Sequence, residues 1–164
     1  MPASVTLCTP TMRAGLENVL RRYGLRIELI TGTDPIPGSY WGDSEAGLVG
    51  DALYVREDTP LHSALHEACH YICMDDVRRA ELHTDAGGDD VEESAVCYLQ
   101  GLLADEIGGY DRVSLFADMD RWGYSFRLGS ARAWFDEDAD DARDWLLSHR
   151  LVDGDMHATW RLRR

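Results

Sequence analysis

Thr59-Pro60-Leu61-His62-Ser63-Ala64-Leu65-His66-Glu67-Ala68-Cys69-His70-Tyr71-Ile72-Cys73-Met74 is the stretch on which the reading of this chain turns. Leu61, Ala64, Leu65, Ala68, Cys69 and Ile72 recur at the spacing of one helix face, and Thr59-Pro60 offers an N-cap followed by a first-turn proline. A helix is therefore predicted over about residues 60–74. Inside it, His66-Glu67-Ala68-Cys69-His70 is an H-E-x-x-H pattern. Histidines four apart project from one face a single turn apart, so both imidazoles reach one tetrahedral Zn²⁺ without bending the backbone. Glu67 stands beside that ion rather than on it, where a carboxylate can take a proton from water and later return it to a leaving amine.

A hydrolytic zinc site needs a third protein ligand. Glu92 and Glu93 both open the next predicted helix. Glu92 shares a stripe with Ala95, Val96, Leu99, Leu102 and Leu103, which must face the core, whereas Glu93 lines up with Cys97, Gln100 and Ala104. An acid on a buried stripe requires a partner, so the expected ligand set is His66, His70 and Glu92, with Glu93 beside it or in solvent. Asp76 stands at the position a metzincin-type third ligand would take, but Cys73 occupies the place where that turn needs glycine. His83 is a further candidate ligand or hydrogen-bond donor, though a lone histidine in a polar loop is more often solvent-exposed. Two histidines and a carboxylate also suit Fe²⁺, Mn²⁺ or Ni²⁺, and Zn²⁺ is the expected cofactor.

Outward from the motif, Thr11–Tyr23 has helical periodicity ending at Gly24, and Leu25–Ile30 alternates as a strand does. Ala46–Val49 and Ala52–Arg56 flank Gly50-Asp51 as a tight hairpin, which predicts a small antiparallel sheet. Helices are expected over Val91–Ile107, Asp111–Trp122 and Glu137–His149, with a short closing strand at Thr159–Arg163. The acidic run Asp136–Asp141 lacks the glycine and ligand spacing of a calcium loop and reads as a helix start.

The chain has 164 residues, 45% of them apolar, enough for one domain with its own core over 1–164. The fold class is α+β: a small sheet packed on the motif helix and a second ligand helix, with further helices towards the C-terminus. A net charge of −14, with every basic residue an arginine, argues against direct binding to nucleic acid; the densest basic cluster is Arg161, Arg163 and Arg164. Cys8, Cys69, Cys73 and Cys97 lack zinc-ribbon spacing and read as buried thiols. No run approaches the roughly 20 apolar residues of a membrane span, nor is there a leader pattern, so a cytoplasmic location is expected.

Leu65-His66-Glu67-Ala68-Cys69-His70, with Glu92-Glu93-Ser94-Ala95 and Leu102-Leu103, resembles the ImmA/IrrE-type zinc metallopeptidases among the gluzincins. The likeness runs over about residues 46–103. Val96 stands where that family usually has Asn, and Cys69 where glycine is common before the second histidine. The resemblance implies that Glu92 is the third zinc ligand, aligned with the family's E-x-x-A-N motif. It further implies that Ala52–Arg56 is an edge strand on which a peptide pairs, and that the substrate is a peptide or a regulatory protein. Tyr71, His83, Tyr110, Tyr124 and the arginines are the candidate oxyanion donors. The competing reading is a non-catalytic, partner-recognising module whose zinc staples two helices.

Overall fold

The computed structural model describes residues 4–40, 42–82 and 87–164. Among them are seven helices and one three-stranded sheet, an α+β arrangement. Helix α1 (Pro10–Arg21) starts at Thr9, whose side chain accepts from the Met12 N–H, and buries Leu16, Val19 and Leu20. After it the chain reverses through Gly24 at φ +76°, a backbone conformation open to glycine. Strand β1 (Arg26–Leu29) follows, then β2 (Gly47–Val49) and β3 (Ala52–Val55), joined by a turn at Gly50.

The sheet order is β1-β3-β2, with β2 antiparallel and β1 parallel to β3. The sheet is thus mixed rather than antiparallel. Of the alternating apolar residues Leu25 is buried and Ile27 half-buried while Leu29 is exposed, and alternation says nothing of the partner's direction; only the two-residue turn between β2 and β3 specifies an antiparallel pair. The same order corrects the strand-addition expectation. β3 carries a partner on each side, so it has no free edge for a peptide. On β2 the segment around Pro37 lies so close that a Cβ on Gly47 would stand 2.1 Å from the Pro37 carbonyl oxygen.

Helix α2 (Leu61–Cys73) carries the motif and packs on β2 and β3. Its start differs from expectation: Pro60 occupies the cap position and Thr59 turns its hydroxyl back to accept the Arg56 N–H at 2.8 Å. The Leu61 N–H is satisfied instead by the carbonyl of Thr6, from the segment preceding α1. At the other end, the carbonyls that a helix terminus leaves open are taken by arginines: Arg79 Nε donates to Tyr71 and Arg163 to Cys73. Helix α3 (Asp76–Ala80), absent from the sequence reading, begins where Asp75 caps the Arg78 N–H.

Helix α4 (Asp90–Ala104) lies against α2, α5 (Arg112–Trp122) and α7 (Asp140–Ser148). The stretch between the helices expected at Asp111–Trp122 and Glu137–His149 contains α6 (Ala131–Glu137), so Asp136 and Glu137 close one helix while Asp140 and Asp141 sit in the first turn of α7, where acids suit a helix start. Thr159–Arg163 forms no strand; it runs back along α2, the Arg163 N–H donating to the Ile72 carbonyl. Trp134 is buried and Trp145 and Trp160 pack against the core, while Trp41 lies outside the described residues. All four cysteines are buried free thiols, and burial pushes Cys8, Cys69 and Cys73 above the usual thiol range. No helix of the described residues is long and apolar enough to cross a membrane.

Candidate metal centre

Of the residues in α2, all are buried except His66 and Glu67. The helix therefore meets solvent only at the H-E-x-x-H motif. His66 and His70 stack edge to face with ring centroids 4.7 Å apart, both presenting Nε2 to the same place. Across from them stands Glu93: one carboxylate oxygen lies 2.9 Å from His66 Nε2 and the other 3.1 Å from His70 Nε2. Tetrahedral zinc with bonds of ~2.0–2.1 Å separates its ligand atoms by about 3.3 Å, so these spacings suit such an ion. His66, His70 and Glu93 form a group that can hold a metal ion.

Hydrogen bonding fixes which ring nitrogen of His66 faces Glu93. Gln100, fully buried on α4, donates its amide to the His62 carbonyl at 2.9 Å, which leaves its oxygen to accept from His66 Nδ1 at 3.0 Å. With one proton on Nδ1, Nε2 faces a carboxylate oxygen; burial opposes a second proton there, but the surrounding acceptors, Glu93 among them, hold His66 well above its usual value. Two acceptors at that distance need a cation or a second proton between them. This is the arrangement in which a second residue orients a metal-binding histidine. Replacing Gln100 by Leu should lower metal affinity roughly 10–100-fold with little change in fold, as read by competition against a chromophoric chelator; unchanged affinity would remove Gln100 from this role.

Glu92, the expected third ligand, is elsewhere. Its carboxylate is 4% exposed and clamped by Arg78 at 2.7 Å and by Arg163 at 3.0 Å, on the side of α4 that faces α3 and the C-terminal segment. Space for it exists only because residue 88 is glycine: a Cβ there would lie 1.9 Å from a Glu92 oxygen. The acid on the buried stripe did need a partner, and the partner is arginine rather than a metal. The carboxylate that faces the two histidines is one residue further along than the one the resemblance implied. Asp76 is exposed and pairs with Arg79, away from the histidines. His83 lies outside the described residues.

Charges around the centre are strongly coupled. Burial would raise the Glu93 carboxyl, but hydrogen bonds and charge from His66 and His70 outweigh it and hold Glu93 well below the usual carboxylate range. Glu67 moves the other way: burial raises it, His70 and His66 oppose, and Glu93 and Glu45 reinforce. Tyr124 reaches the site from the residue after the left-handed Gly123 cap of α5, its ring 5.7 Å from that of His66 and its hydroxyl 3.4 Å from His62 Nδ1; burial pushes that hydroxyl up to about 12, so it stays protonated. Tyr110 donates to buried Asp118, and Tyr71 lies under Arg79. Of these tyrosines it is Tyr124 whose ring lies against that of His66. A cleft of about 360 Å³ opens from Glu93 and Cys97 towards Phe126 and Trp134.

His62, one turn before His66, is fully buried between Trp122 and Tyr124, and burial followed by the His66 charge lowers its pKa to about 4. Its folded pKa lies below its unfolded value of ~6.5, so its contribution to stability is complete above that value. As pH falls from there to about 4, on the order of 3 kcal/mol should be lost. Urea unfolding across this range should show the loss in the wild type and a flatter profile in His62→Gln; parallel profiles would assign the pH dependence elsewhere.

Comparison with protein-family models, with curated proteins and with solved structures finds no match to this chain.

Proposed function

We propose that the chain is a zinc-dependent peptidase in which His66, His70 and Glu93 hold the ion and Glu67 is the general base. The observation that carries this reading is the convergence of two oriented imidazoles and a carboxylate at the one solvent-facing point of an otherwise buried helix. When bound, zinc would supply Lewis-acid polarisation and acidify water to a pKa near ~7. The chain's own residues do the rest. Glu67 takes a proton from the attacking water and delivers it to the leaving amine. Tyr124 offers its O–H to the developing oxyanion, and Gln100 keeps His66 in the ligating tautomer. The cleft beside Glu93 gives a substrate side chain somewhere to lie.

The resemblance to ImmA/IrrE-type peptidases agrees with the H-E-x-x-H helix and with a carboxylate from the start of a second helix. The Glu93 side chain, 46% exposed beside the partly buried His66 and Glu67, supports an accessible reaction centre over a sealed structural zinc. The test is to load the purified chain with Zn²⁺, measure bound metal by mass spectrometry, and follow cleavage of a denatured protein and a mixed peptide library. One equivalent of metal with cleavage that a chelator abolishes and Zn²⁺ restores is expected. Bound metal without cleavage would favour the non-catalytic partner-binding module, and no bound metal would end both readings.

A further inference from the structure

The arginines of this acidic chain are nearly all engaged. They pair with carboxylates, cap carbonyls or lie over aromatic rings, as Arg22 does on Trp160. Arg150, Arg161 and Arg164 have no such partner among the described residues, and all line a single cavity of about 830 Å³. A fourth wall is Arg163, tethered to Glu92, with its Nε buried and without a hydrogen-bond partner among the described residues. The acid at the rim, Asp76, is already engaged by Arg79. Arg150 is held in place by a left-handed backbone at φ +59° and by the Thr159 hydroxyl donating to its carbonyl.

We propose that this cavity binds a small polyanion carrying two or more phosphoryl groups. Guanidinium groups brought together without counter-charges repel, and each presents a planar fork that matches phosphoryl oxygens. The volume lies in the range of small-molecule sites and is larger than one inorganic phosphate requires. A net charge of −14 opposes an extended polyanion that must run across the rest of the surface, so a compact ligand is favoured over nucleic acid. The cavity is distinct from the metal centre: its lining includes none of His66, His70 or Glu93.

His149, on the cavity wall with its ring inclined at 49° against that of Trp145, provides a reporter. Burial, then the charge of Arg163, lowers its pKa, and a bound anion would raise it. The experiment is calorimetric titration of the full chain with inorganic tripolyphosphate at low ionic strength, alongside NMR titration of the His149 ring. It is repeated in Glu93→Ala, so that chelation at the metal centre cannot account for the heat. Saturable one-to-one binding, a rise in the His149 pKa, and at least a roughly tenfold loss of affinity in Arg150→Gln/Arg161→Gln are expected. Unchanged thermal unfolding in that double variant shows that the loss is local. The proposal is overturned by no saturable binding up to ~1 mM. Equal affinity in the double variant, binding that vanishes in Glu93→Ala, or tighter binding of citrate or of a single-stranded oligonucleotide would overturn it too.

Discussion

Glu67→Gln should leave the zinc content of the chain intact and reduce peptide hydrolysis by roughly 10²–10⁴-fold, the contribution of a positioned general base. The substitution keeps the size and shape of the side chain, so the half-buried position on α2 is still filled. What is lost is the capacity to carry a proton from water to the leaving amine. Because Glu67 is absent from the group of converging donors, its removal should not weaken the ion's grip. The measurement is bound metal and initial cleavage rate on the same preparation. Full activity in Glu67→Gln would exclude the mechanism, and loss of metal together with activity would make Glu67 a ligand rather than a base.

How far the site could be read in advance depends on what each residue's surroundings ask of it. Helix α2 was legible because its apolar spacing and its motif reinforce one another, and the β2–β3 hairpin because Gly50-Asp51 admits few alternatives. The direction of β1 was not legible, since no local signal chooses a parallel partner more than twenty residues away. Nor was α3, whose five residues are too few to show a period. Thr159–Arg163 alternates like a strand, yet it is held by Arg163 to α2 and Glu92 rather than by a neighbouring strand. The polar residue that would have helped most is Gln100. It sits seven positions beyond Glu93 on a helix buried on nearly every side, and an amide in such a place marks the face turned towards other polar groups. The assumption of a single buried stripe on α4 hid this, because α2 and α7 bury two different stripes.

That misreading makes the two adjacent glutamates the most discriminating pair to change. Glu93→Gln should fold almost normally, its side chain being about half exposed. Metal affinity should fall by more than the roughly 10–100-fold typical of losing an orienting neighbour, because a ligand itself is removed. Glu92→Gln should do the reverse. It leaves Arg78 and Arg163 without their shared buried carboxylate, and removing one partner of a buried ion pair costs about 3–5 kcal/mol. Both arginines keep some contact with water, so a loss near the lower end, roughly 3 kcal/mol, is expected. Denaturant unfolding of the metal-free proteins reads the loss of stability, and chelator competition on the folded fraction reads the metal affinity. If Glu92→Gln emptied the site while Glu93→Gln bound zinc as the wild type does, the third ligand would return to residue 92. The family alignment would then be correct and the arrangement of α4 against α2 wrong by about one residue's rotation, ~100° about the helix axis.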